Sequence, residues 1–180
     1  MRPVGITRPG GPEVLEVIDR SVSEPGPGEV RISVRAAAVN PTDIGLRERG
    51  GGDQLPPPWT PGMDAAGVIE SIGDGVDRLS AGDQVMAAVA PCRPEGGAQA
   101  ELIVAPAASV VPIPQGATMA QAATLPMNGL TAERGFEMLG LAPGATLAVT
   151  GWRGCARLLR DRAGQARRIA RSRRRQARGR

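Results

Sequence analysis

Twenty-five glycines and seventeen prolines cut these 180 residues into short pieces. They fall in clusters: Pro9-Gly10-Gly11-Pro12, Pro25-Gly26-Pro27-Gly28, Gly50-Gly51-Gly52, Gly73-Asp74-Gly75 and Gly82-Asp83. Glycine supplies the backbone freedom of a tight turn, while proline fixes φ and removes an amide donor, so each cluster ends the element before it. Short apolar runs lie between them at residues 3–7, 14–18, 67–73, 84–89, 99–104 and 110–113. The clearest is Glu29-Val30-Arg31-Ile32-Ser33-Val34-Arg35-Ala36, whose two-residue period puts Val30, Ile32 and Val34 on one face. Many short strands with turn punctuation predict a mainly β domain, a small barrel or sandwich, over residues 1–124. Aromatics are only 2% of the chain, so its core must be built from Val, Ile, Leu and Ala.

The pattern changes further on. Pro41-Thr42-Asp43 opens a predicted helical turn that reaches Arg49. Thr118 is placed to cap a short helix over 119–123, and a longer helix is predicted over 128–139 with Gly140 as its stop. Pro126 reads as an interruption between the two. Pro143-Gly144 then turns the chain into an apolar run at 145–150, a predicted buried strand that ends at Gly151. Strands followed by helix, turn and strand is the order of two domains, with the second one only begun.

Composition excludes several chemistries. There is no histidine, so a Ser/His triad, a His general base and His-ligated zinc are all ruled out. Cys92 and Cys155 form neither a metal motif nor a disulfide framework and read as reduced thiols. No apolar run approaches the ~18 residues of a membrane span, and the start has no secretory leader pattern, so a soluble cytoplasmic protein is expected. The formal net charge of +4 hides two unlike parts. Residues 1–151 carry 10 arginines and 17 acids, whereas 152–180 carry 12 arginines and Asp161 alone.

Several motifs coincide in order: Pro27-Gly28-Glu29-Val30, Ala38-Val39-Asn40-Pro41-Thr42-Asp43, Gly62-Met63-Asp64-Ala65-Ala66-Gly67-Val68, Gly73-Asp74-Gly75-Val76, Gly82-Asp83-Gln84-Val85, Gly97-Ala98-Gln99-Ala100-Glu101 and Leu125-Pro126-Met127-Asn128-Gly129-Leu130-Thr131-Ala132. Together they resemble the medium-chain dehydrogenase/reductase superfamily, in its zinc-independent quinone oxidoreductase (zeta-crystallin-like) branch. The resemblance implies a GroES-like β-barrel catalytic domain over 1–124. It implies the first helix and strand of an incomplete Rossmann domain over 125–151, and a basic tail over 152–180. Zinc-dependent members place cysteine where this chain has Asn40 and a His-Glu pair where it has Met63-Asp64, and they add a four-cysteine lobe. Asn and Met cannot replace Cys and His as zinc ligands, so no zinc is expected.

Without a Lewis acid, the resemblance implies hydride transfer from NADPH to an electron-poor quinone or α,β-unsaturated carbonyl, with the protein supplying orientation and polar contacts. It casts Asn40 beside the nicotinamide or the substrate carbonyl, and Asp43 as the organiser of that loop. Thr131, with Asn128 as a neighbour, falls to the nicotinamide, and Gly151 to the pyrophosphate turn. Read only as residues, Asn40 is also a turn former, Asp43 a helix cap and Thr131 a polar helix position. The resemblance implies neither a membrane nor a specific nucleic-acid partner, and its members are often homo-oligomers. Where many relatives carry an aromatic residue lining the substrate pocket, two positions after the Asp, this chain has Gly45.

The pattern departs after Gly151. Relatives continue as Gly-x-x-Gly-x-x-Gly, whose glycines let the backbone approach a pyrophosphate. Here Gly151 and Gly154 keep the spacing, the third position is Arg157, and no later strand follows. The tail reads in three ways: a nucleic-acid-binding extension, a solvated extension without a role, or, as preferred, a shifted reading frame. Reading permitted codons one base later lets residues 157–176 encode an amphipathic helix, a glycine stop and a strand, the order the fold requires. As an enzyme of this type the chain itself is expected to be a poor NADPH binder and inactive; the alternatives are a nucleic-acid-binding module acting through the arginine-rich tail or a non-catalytic β-domain acting in assembly.

Overall fold

In this computed structural model, residues 1–52, 55–142 and 145–147 are described. The chain divides into two units, a compact first unit Met1–Met127 and a second that begins at Asn128. Strands β1 (Val4–Ile6) and β2 (Leu15–Val17) form a separate antiparallel hairpin. The remaining strands, β3 (Glu29–Ala37), β4 (Asp64–Ile72), β5 (Gln84–Ala88), β6 (Leu102–Pro106) and β7 (Val110–Pro112), make one antiparallel sheet in the order β6-β3-β4-β5-β7. Among the described residues this sheet is open, with β6 and β7 at its edges, so the predicted barrel is not closed.

The alternation read in β3 holds at its start. Val30 and Ile32 are fully buried and pack with Ile69, Val85, Ile103 and Val110 in the main core cluster. It fails at Val34, which is only partly buried. The β3–β4 register shifts between Arg31 and Ile32 and again between Val34 and Ala36, and such bulges twist a strand and re-aim the side chains that follow. Strand β4 starts three residues earlier than the apolar run suggested, at Asp64, and is buried on both faces over its first four residues. Its second face is covered by α2 (Met119–Ala122), where Ala122 and Ala123 pack against Ala66. Gly67 lies tight against the β3 backbone: a Cβ there would run into the Ser33 carbonyl oxygen, so only glycine fits without a backbone shift.

Helix α1 (Pro41–Arg49) follows the first part of the Pro-x-Asp sequence as expected, with proline at its N-terminus, where the missing amide costs nothing. The loop after it is anchored by Trp59, which joins Ile6 and Val14 in a second core cluster and donates its indole N–H to the Leu55 carbonyl at 2.7 Å. Thr118 caps α2 as the sequence suggested, its hydroxyl accepting from the Gln121 amide at 3.2 Å. Helix α3 runs Pro126–Leu139, so Pro126 starts this helix rather than interrupting one. Strand β6 also lies later than predicted, and the expected strand at 145–150 is not formed over residues 145–147. The rest of that run, with Gly151 and the arginine-rich segment, lies outside the described residues. Among the described residues no helix is long and apolar enough to cross a membrane.

Candidate active site

Two strand ends build the site. Antiparallel pairing of β3 with β4 sets Ala37 opposite Ala65, and the Ala38 amide donates to the Asp64 carbonyl at 3.3 Å. The chain leaving β3 is thus held beside the first residue of β4 when it turns at Val39 and Asn40 into α1. Asn40 takes the N-cap position, in extended conformation, and is nine-tenths buried.

Asp43 is the third residue of α1, and its carboxylate turns back over the helix start. Oδ2 accepts from the Asn40 backbone N–H at 2.7 Å, the acidic half of a capping box, and Oδ1 accepts from the Gly62 N–H at 2.8 Å. One buried side chain therefore satisfies an amide of its own helix and an amide of the loop leading into β4. Gly62 has a φ of 110°, and a Cβ there would lie 2.7 Å from the Ala98 nitrogen, so a side chain is excluded on two counts.

The Asn40 side chain faces the Asp43 N–H as the other half of the capping box, and its amide nitrogen reaches across to β4. Its Nδ2 donates to Asp64 Oδ2 at 2.7 Å, between residues 24 apart in sequence. Asp64 is fully buried, and its Oδ1 accepts from the Met127 backbone N–H at 2.6 Å. Burial pushes the Asp64 carboxyl above the usual carboxylate range. The Met127 and Asn40 donors pull it back, and the Asp43 charge nearby raises it further.

Of the sequence-predicted site residues, Asn40 and Asp43 meet in one hydrogen-bonded cluster. Asn128 and Thr131 lie on the first turns of α3, in the second unit, and both are engaged in polar interactions. Gly151 is outside the described residues. Asp64 was missed as a site residue. Its only sequence signal was its place in Gly62-Met63-Asp64, where it read merely as the absence of a metal ligand.

The donor set can be tested against the groups a site of this kind would take. A carboxamide offers two N–H donors and an acceptor oxygen, and Asn40 commits one N–H to Asp64. The second N–H and the lone pair of Oδ1 that does not face the Asp43 N–H match a nicotinamide carboxamide, a ribose hydroxyl or a substrate carbonyl. A divalent metal fits poorly: Asp64 Oδ2 is engaged by Asn40 and Oδ1 by Met127, and neither an amide nor a thioether replaces thiolate or imidazole.

Comparison with known proteins agrees with this architecture. Residues 26–115 match the family described as the alcohol dehydrogenase GroES-like domain. The chain belongs to that family. Its relatives are quinone oxidoreductases and VAT-1-like members of the medium-chain dehydrogenase/reductase superfamily. It is 39% identical over 127 residues to a quinone oxidoreductase of Pseudomonas aeruginosa, covering 69% of this chain and 37% of that protein. It is 34% identical over 152 residues to the human synaptic vesicle membrane protein VAT-1 homolog-like, covering 83% of this chain and 35% of that protein. Among solved structures, the Escherichia coli quinone oxidoreductase complexed with NADPH superposes with a TM-score of 0.67 at 26% identity, covering 82% of this chain and 44% of that one. The chain thus spans little more than a third of the length of these two curated relatives.

Proposed function

We propose that residues 1–127 form the substrate-side unit of a zinc-independent, NADPH-dependent reductase of quinones or α,β-unsaturated carbonyls. The carrying observation is the buried Asn40–Asp43–Asp64 cluster, in which Asn40 is held by its backbone on one side and its amide on the other. NADPH, when bound, supplies the hydride. Asn40 orients the nicotinamide or the substrate carbonyl through its remaining amide valences, and Asp43 fixes the loop from which it projects. Thr131 and Asn128 contribute polar contacts to the nicotinamide, and Gly151 belongs to the turn that approaches the pyrophosphate. Membership of a family whose solved members include an NADPH complex supports the choice of cofactor. Its relatives named quinone oxidoreductase support the substrate class.

With Arg157 at the third glycine position of the pyrophosphate turn, the chain by itself is expected to hold NADPH weakly and to show no turnover. An NADPH titration followed by cofactor fluorescence and by the NMR signals of the Asn40 side-chain amide tests both parts. No saturation is expected at sub-micromolar cofactor, while high NADPH concentrations shift the Asn40 signals. Sub-micromolar saturation with NADPH oxidation by a quinone would overturn the weak-binding part. Asn40 signals that ignore NADPH altogether would overturn the site assignment.

A further inference from the structure

We propose that Asp64 is a positioning residue that sets the hydrogen-bonding polarity of Asn40, deciding whether its carbonyl oxygen or its NH₂ group is turned toward the ligand. The inference rests on the reading of Asn40 as the ligand-facing residue and goes one step deeper into that site.

The geometry that carries it is a clamp with two unequal jaws. Asp64 Oδ1 is held by a backbone donor, the Met127 N–H, which cannot change its character. Asp64 Oδ2 is held by a side-chain amide, which can: a half-turn about the last side-chain bond of Asn40 exchanges NH₂ for oxygen with little change in shape. The carboxyl is fully buried, so water cannot take over either role. The other charged group acting on it is Asp43 on α1, whose oxygens are engaged by the Asn40 and Gly62 amides, and no arginine of the described residues pairs with Asp64.

An ionised Asp64 has only acceptors to offer. It therefore forces the Asn40 NH₂ inward, and the Asn40 oxygen is presented as an acceptor, suited to the amide hydrogens of a nicotinamide or the hydroxyl of a reduced quinone. When Asp64 takes up a proton, Oδ2 becomes a hydroxyl donor while Oδ1 still accepts from Met127. The stable partner for that hydroxyl is the Asn40 oxygen, so the amide turns, giving up its capping-box contact with the Asp43 N–H, which keeps the Asn40 backbone carbonyl at 3.0 Å, and presents NH₂ outward, a donor suited to a quinone or enone carbonyl. Burial and the neighbouring Asp43 charge both bring this protonation nearer to neutral pH than for an ordinary aspartate. Met127 is also the last residue of the first unit, so the same carboxyl ties Asn40 to the chain segment at the unit boundary.

The chain offers an unusually clean test, because Asn40 and Asn128 are its only asparagines. Selective ¹⁵N-asparagine labelling yields two side-chain amide pairs, told apart with Asn128→Gln. In the cofactor-free wild-type chain, one Asn40 Hδ2 resonance is expected downfield near neutral pH, from its bond to a carboxylate. The pair should move together on acidification, with a midpoint above the ordinary aspartate range, while the Asn128 pair stays in place. In Asp64→Asn, whose added third pair is told apart by comparison with Asp64→Ser, the Asn40 downfield position and its titration are both lost. An Asn40 pair that does not titrate in the wild type, or titrates equally in Asp64→Asn, overturns the proposal. The wild-type titration needs no variant, so a failure of Asp64→Asn to fold does not rescue the idea. Because no cofactor is present, absence of NADPH binding bears on the proposed function alone.

Discussion

Asp43 and Asp64 are two buried carboxylates with opposite kinds of support. Asp43 accepts from two backbone amides, so truncating it orphans both the Asn40 and the Gly62 N–H. Asp43→Ala should therefore cost about 2–4 kcal/mol, the sum of a lost helix cap and a second buried donor without a partner. Urea denaturation measures it, and a loss below about 1 kcal/mol would show that water replaces the carboxylate. Asp64 has a pH signature instead. Its pKa is raised in the folded chain, chiefly by burial, so the folded state binds that proton more tightly than the unfolded state. The resulting stabilisation is complete below the unfolded aspartate value of about 3.9, and it disappears as pH rises through the folded value. Wild type measured against Asp64→Asn should thus gain relative stability as pH falls from neutral into the carboxylate range. A difference that is flat, or that grows with rising pH, contradicts the assignment. Asp64 could not be recognised from sequence because its role exists only through pairing across 24 residues. Asn40 and Asp43 were visible because a capping pattern is local.

At the scale of elements, the pivotal contact is the tight pairing of β3 with β4 at Gly67. Gly67→Ala places a methyl against the Ser33 carbonyl in a sheet already bulged nearby, so it should destabilise by about 1–3 kcal/mol and broaden the amide signals of both strands. Ile32→Ala, in the partner strand β3 and facing the core, should cost about 2–5 kcal/mol through the cavity it leaves. Equal effects of the two on strand dynamics, measured by hydrogen exchange, would argue against a special role for the close contact at Gly67. Most strands could be read from the apolar runs because turn clusters bound them on both sides. The errors share one physical origin. Val34 lost its expected burial to a register shift that depends on the partner strand. Strand β4 began early because α2 buries a second face, so Asp64-Ala65-Ala66 shows no alternation. Pro126 looked like a breaker because proline is one inside a helix, yet it is well suited to the first position of α3. Gly/Pro turns predicted many short strands correctly, but closure into a barrel is a property of edges, and edge pairing leaves no local trace in sequence.

For the whole molecule, the question is where the first unit ends. The family match stops at residue 115, whereas the compact unit continues to Met127. The intervening stretch is structural. Ala122 and Ala123 are buried against Ala66, on the face of β4 opposite the main core, and the Met127 amide supplies one of the two donors to the buried Asp64 carboxylate. Ending the chain at 115 exposes that face and leaves Asp64 Oδ1 without its donor at the first residue of β4. A fragment of residues 1–127 should therefore unfold cooperatively, while a fragment of residues 1–115 should be less stable by about 2–4 kcal/mol, from lost apolar burial and one orphaned charged acceptor. The pH dependence separates the two contributions. Exposing that face removes the burial that chiefly raises the Asp64 carboxyl, which outweighs the lost Met127 donor, so Asp64 in the shorter fragment should titrate lower than in the longer one, and the stability gap should widen on acidification. Thermal melts of both fragments across that range measure it. Equal stability at neutral pH would place the boundary at the end of the family match and would detach Asp64 from the segment that leads into α3.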